Sequence, residues 1–219
     1  CFLPLIIQIG VKHMKYIAIY LVCFLIFIGW LLYEQRKSRK VAEQESKDFW
    51  AREQEANQTR KKDISNLPLL HVSEEEIPVA DTDNDSVLYY VGQVKEIIKN
   101  PMMDFSDYTN TDLKLAYGVG NFKTISEYDE TFHEFLIALG ILARSYEKAD
   151  LLDYAIRTYL LAIRYGTRQV ADYEALARIY LRKDQPEKIQ ELLDMIKSSD
   201  FPHKDNLETA LRNVIFSYR

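Results

Sequence analysis

Two stretches of the chain carry the same residue types 34 positions apart: Leu142, Ala143 and Tyr146 return as Leu176, Ala177 and Tyr180. Each set is followed by a second amphipathic segment. Apolar residues at steps of three and four lie on one helix face. A repeat of this length marks stacked helical hairpins, in which no single unit can bury its apolar face alone. The carboxyl half is therefore expected to be all-α, in an architecture that holds partners rather than performing chemistry.

The residues around the echo fill out the hairpins. Ser126, followed by Glu127, Asp129 and Glu130, has the capping hydroxyl and acidic first turn of a helix start. Phe132, Phe135, Leu136, Leu139, Leu142, Ala143 and Tyr146 then form a long apolar stripe. After a turn at Lys148-Ala149-Asp150, Leu152, Ala155, Tyr159 and Ala162 line a second helix that ends at Gly166. The second unit, 170–203, begins with Tyr173, Leu176, Ala177 and Tyr180. Pro186 opens its second helix, which carries Ile189, Leu193 and Ile196, and Pro202 stands near its end. Leu207, Ala210, Leu211, Val214, Ile215 and Tyr218 make a closing helix, the cap that a short array needs.

This arrangement of small and aromatic residues resembles the tetratricopeptide repeat. Leu139, Leu142, Ala143, Tyr146, Ala155, Tyr159 and Ala162 stand at the family's packing positions, and the second unit matches in its first helix only. The resemblance covers about the last 85 residues, within a module over 126–219, and implies a short helical solenoid with a groove on the first-helix side. The whole chain also looks similar to single-pass bacterial membrane proteins that carry such repeats.

Upstream, Tyr16 to Tyr33 is a run of eighteen residues without a charge, flanked by tyrosine and tryptophan. This is read as a transmembrane helix over 14–33. Large residues at its end argue against signal-peptide cleavage. Residues 1–13 precede a Met14-Lys15 that looks like an ordinary start, and are read as a non-native or disordered leader. Arg36, Lys37, Arg39 and Lys40 place the cytoplasm on the carboxyl side. The expected localisation is therefore the cell membrane, single-pass, with a cytoplasmic module.

Residues 34–64 read as a charged juxtamembrane helix, 65–86 as an extended linker with two prolines, and 87–125 as accessory helices that complete the core. Asp81, Asp83 and Asp85 lack the glycine and the closing glutamate of a calcium loop. Asp85-Ser86 is read as the cap of the helix that follows. Gly118-Val119-Gly120 follows a helix and lacks the third glycine of a dinucleotide loop.

Charge and chemistry narrow the function. Beyond Lys40 the chain holds 22 Lys/Arg against 32 Asp/Glu, so nucleic acid is not an expected partner. His13, His71, His133 and His203 are scattered, with no triad or zinc spacing, and neither cofactor, metal nor catalysis is expected. Arg144 and Arg178 hold the same place in successive repeats, and Arg182 lies one turn on. These three arginines are the candidate partner-binding residues, suited to an acidic or carboxylate-bearing peptide. The expected function is thus a membrane-anchored adaptor that binds a protein or peptide. The alternative is a structural subunit of a membrane complex, assembled through its transmembrane helix.

Overall fold

A computed structural model describes residues 3–199 and 204–218, with side chains from Tyr20 onward. The described residues form eight α-helices: α1 (Leu3–Gln58), α2 (Asp85–Ile97), α3 (Asn110–Tyr117), α4 (Phe122–Lys148), α5 (Leu152–Arg164), α6 (Val170–Arg182), α7 (Pro186–Ser198) and α8 (Lys204–Ser217). Strand pairing among them is limited to one isolated antiparallel bridge, between Leu70 and Met102. The all-α class expected from the repeat is the class observed.

The echo reaches further than its apolar positions. The α4–α5 and α6–α7 turns each place an aspartate, Asp150 and Asp184, in the left-handed region at φ 58° and 54°. The following amides, of Leu151 and Gln185, donate back to the carbonyls of Tyr146 and Tyr180 at 2.9 Å. That is a Schellman termination, and aspartate is among the few side-chain-bearing residues that accept its backbone conformation. Gly166 at φ 86° ends α5 in the same way, with Thr167 donating to the Ala162 carbonyl. Tight stops of this kind fold each helix back on its predecessor and bring the alternating small and large faces into register.

The core that results is continuous from α2 to α8. Leu139, Leu142, Ala143 and Tyr146 of α4 pack with Ala155, Tyr159 and Ala162 of α5 and with Tyr173, Leu176 and Ala177 of α6, all without solvent exposure. Burying these side chains, at about 25 cal/mol per Å² of apolar surface, supplies the main driving force. In α7, Ile189, Leu193 and Ile196 replace small and aromatic residues yet are equally buried. Helix α8 closes the row with Leu207, Leu211 and Val214. Pro202 lies outside the described residues.

Residues 65–84 do not hang free. Val72, Ile77 and Ala80 are buried in the main core, and the Tyr146 hydroxyl donates to the Pro78 carbonyl at 2.6 Å. Glu76 receives Arg164 and the Tyr165 hydroxyl. The segment is thus a strap across α4 and α5, irregular apart from one 3-10 turn at Glu74–Glu76 capped by Ser73, and anchored by three apolar side chains. The helix after it is capped by Asn84, whose side chain accepts the Val87 amide at 3.1 Å, and not by Asp85-Ser86. Helix α4 likewise starts at Phe122, ahead of Ser126, because buried Ile125 and the fully enclosed Asn121 extend its packing toward α3.

A second, small cluster of Phe105, Leu113 and Ile125 joins α3 to the start of α4. The end of α1 docks beside it. Glu53 accepts both Lys114 and Thr111, Arg52 pairs with Asp112 at 2.6 Å, and Ala56 is fully buried. Asn121 donates to the carbonyls of Lys62 and Tyr117, so the chain leaving α1 is stitched to the chain leaving α3.

The membrane reading requires correction. Among the described residues no helix is long and apolar enough to cross a membrane. The side chains of 16–19, at the start of the expected span, lie outside the described residues, as do those of the expected leader, 1–13. The described remainder, 20–33, offers fourteen uncharged residues before Glu34, against about 20 for a bilayer-crossing helix. Leu21, Phe24, Leu25, Ile26 and Trp30 stand exposed on it. The expected single-pass membrane localisation is not supported once the span is lost.

One core group invites a direct test. The Tyr159 hydroxyl is buried with no hydrogen-bond partner among the described residues, and burial pushes its ionisation far above the ordinary tyrosine range. A buried unpaired hydroxyl costs about 1–3 kcal/mol. Tyr159→Phe removes that cost without opening a cavity. It is expected to leave stability unchanged or to raise it by about 1 kcal/mol in urea unfolding. A loss of more than about 1 kcal/mol would show a partner for the hydroxyl.

Candidate partner-binding surface

The three arginines singled out by the repeat do not share one site. Arg144, on α4, donates from Nη1 to Asp172 Oδ1 of α6 at 2.8 Å. Asp172 is only 2% exposed and sits in the first turn of α6, where the helix dipole favours a negative charge. Its carboxylate lies against Gly140, where an added Cβ would come within 2.8 Å of it. Thr167, itself fully buried, approaches the other carboxylate oxygen at 3.5 Å. Burial raises the Asp172 pKa above the ordinary aspartate range, with Arg144 and Thr167 acting against that rise. Arg144 is therefore first a strut between the two hairpins.

Arg178 forms an exposed i,i+4 pair with Glu174 at 3.5 Å, and Arg182 reaches Asp150 of the α4–α5 turn at 3.0 Å. Beside Arg182, Lys183 pairs with Asp153 at 2.5 Å. The Arg182 and Lys183 pairs tie α6 to the preceding hairpin. Being solvent-exposed, these contacts add little to stability.

Arg144 nonetheless keeps 44% of its side-chain surface in water. It lines a cleft of about 240 Å³ together with Asn84, Ser86, Tyr90, Ile141 and Lys148. The cleft thus brings Asn84 and Ser86, at the start of α2, against two cations of α4. Lys148 has no carboxylate partner among the described residues. Neither Arg178 nor Arg182 lines this cleft. A short acidic side chain or a terminal carboxylate matches it, since a guanidinium edge and an ammonium both favour an anion.

Sequence reasoning missed Lys148 and Asp172. Lys148 stands one turn after Arg144 as Arg182 stands one turn after Arg178, so the 34-residue period already points to it. Asp172 carries no such signal, because its partner is 28 residues away and only the packing of α6 on α4 joins them.

No protein-family model, no curated protein and no solved structure matches this chain. The resemblance to the tetratricopeptide repeat, and with it the likeness to single-pass bacterial repeat proteins, is therefore corrected: the all-helical fold stands without a family assignment.

Proposed function

We propose that the chain is a protein-interaction module, and not an enzyme, in which the row α4–α8 acts as a short hairpin array closed by α8. Its partner is a protein or peptide that presents a carboxylate to the cleft between α2 and α4. The observation that carries this reading is the convergence of the outer edge of Arg144, the unpaired Lys148 and the α2 amino terminus in one cleft. The surrounding chain is acidic, so a local pair of cations stands out as a point of selection against an otherwise repulsive surface. The groove arginines Arg178 and Arg182 brace the array in this reading rather than contacting the partner.

The test uses a fluorescein-labelled acidic peptide, Gly-Ser-Asp-Glu-Tyr-Asp-Ser-Gly, and its Asn/Gln analogue, titrated against the full chain by fluorescence anisotropy. The acidic peptide is expected to bind at least tenfold more tightly than the analogue. Lys148→Glu is expected to weaken it at least tenfold, because the charge reversal replaces attraction by repulsion. Arg182→Glu should leave the affinity within twofold. Equal binding of the two peptides, or an unchanged affinity in Lys148→Glu, would refute the assignment.

A further inference from the structure

A second concavity lies around the loop that joins α2 to α3. Two clefts, of about 390 and 610 Å³, meet there and share Phe105, Tyr108 and Asp129. The loop between them is pinned to α4. The Met103 amide donates to the Tyr128 carbonyl at 3.2 Å, and the Phe105 amide to Asp129 Oδ1 at 2.9 Å. Phe105 is driven fully inward and packs edge-on against Tyr108 and Tyr117, with ring centroids 5.9 and 5.8 Å away. Tyr108 is left 48% exposed on this rigid base, with its ring at the junction of the clefts.

The two lobes differ in chemistry. The smaller is floored by Phe132, Leu136 and half-exposed Ile137, and its one arginine, Arg168, is held by Asp107 at 3.6 Å. The larger carries three carboxylates, Glu127, Asp129 and Glu130, against the single ammonium of Lys123. Glu130 has no ionic partner among the described residues. Glu127 has only a 3.7 Å pair with Lys123, whose side chain is 89% exposed, and such a pair adds little. An aromatic face beside the unpaired carboxylate of Glu130 attracts a cation on two counts, the ring quadrupole and charge.

We infer that this groove docks a peptide segment bearing an arginine or lysine next to a large apolar residue. The cationic side chain lies along Tyr108 toward Glu130 and Glu127, and the apolar one enters the lobe of Phe132, Leu136 and Ile137. The site is separate from the Arg144–Lys148 cleft and selects the opposite charge, so its success or failure is independent of that reading.

The probe is a fluorescein-labelled peptide, Gly-Ser-Gly-Arg-Leu-Arg-Gly-Ser-Gly, with one analogue carrying Gln for Arg and another carrying Ser for Leu. Anisotropy titration of the full chain is expected to saturate, with each analogue at least tenfold weaker. Tyr108→Ala and Glu130→Gln, both at solvent-accessible positions, should each weaken the parent peptide at least fivefold, and Lys148→Glu should change it less than twofold. Equal binding of the Gln analogue, or insensitivity to both groove substitutions, would overturn the inference, since a merely acidic surface would then explain the binding. Sedimentation of the free chain as a dimer that Tyr108→Ala dissociates would also overturn it, making a second copy the occupant.

Discussion

Arg144→Met is expected to destabilise the fold by about 2–3 kcal/mol at pH 7.5, and the loss should shrink as the pH falls toward 4. The substitution keeps the aliphatic stem but leaves the Asp172 carboxylate buried without its counter-charge. Breaking a buried pair from one side costs about 3–5 kcal/mol. The lower figure is chosen because the Arg144 side chain is 44% exposed, so water already screens one half of the pair. The pH dependence follows from the direction of the aspartate shift. Burial holds the folded pKa of Asp172 above its unfolded value. Stability from this group is then complete below the ordinary aspartate range and is lost as the pH rises through the raised value. Without Arg144 that value rises further, so wild type and variant should converge in acid and diverge toward neutrality. Asp172→Asn removes the charge from the buried side instead, and is expected to cost less than half as much, because Arg144 can turn to solvent. Urea unfolding of all three proteins at pH 4.0, 5.5 and 7.5 measures this. Parallel pH curves for wild type and Arg144→Met would sink the argument.

The same pair shows why part of the molecule can be read from its residues and part cannot. The helices of the hairpins are periodic in apolar residues, and periodicity is a local property. Leu139, Leu142 and Tyr146 announce their face without any knowledge of what covers it. Even the turns repeat, in Asp150 and Asp184, because the left-handed backbone they adopt is set by a local termination pattern. Arg144 has no local signature of that kind. An arginine beside a buried alanine on an amphipathic helix looks like a groove residue, and only the approach of α6 reveals Asp172 beneath it. The strap at 65–84 misleads in the opposite way. Its prolines and acids have the composition of a connector, while Val72, Ile77 and Ala80 are too widely spaced to register as a periodic face, yet all are buried. The paired aromatic clefts are illegible for a further reason. Tyr108 comes from a loop, whereas Glu130 and Ile137 stand two turns apart on one face of α4, and no spacing rule brings the loop to that face.

Gly118→Ala is expected to be more damaging than alanine at Gly166, the other glycine of positive φ, with a loss of about 3–4 kcal/mol and release of the α1 end from the module. Two penalties coincide at Gly118. Its backbone sits at φ 85° and ψ 145°, a region that side-chain-bearing residues avoid at a cost of about 1–3 kcal/mol. A Cβ built there would also lie 2.1 Å from the carbonyl oxygen of Arg60, a backbone atom that cannot swing aside. Relief requires the chain after α1 to move, which breaks the Val119 amide to Thr59 carbonyl bond and the Lys62 amide to Tyr117 carbonyl bond together. Asn121, whose amide bridges Lys62 and Tyr117, then loses a partner in a buried site. Gly166 separates the two penalties, because it has nearly the same φ of 86° but nothing within 4 Å of its Cβ direction. Gly166→Ala should therefore show backbone strain alone, about 1–2 kcal/mol. The measurements are urea unfolding and limited trypsin digestion, with cleavage expected to accelerate at Arg60, Lys61 and Lys62 in Gly118→Ala only. Equal destabilisation by the two substitutions, with no change in the cleavage pattern, would mean that close packing of the α1 exit against Gly118 contributes nothing to holding that helix in place.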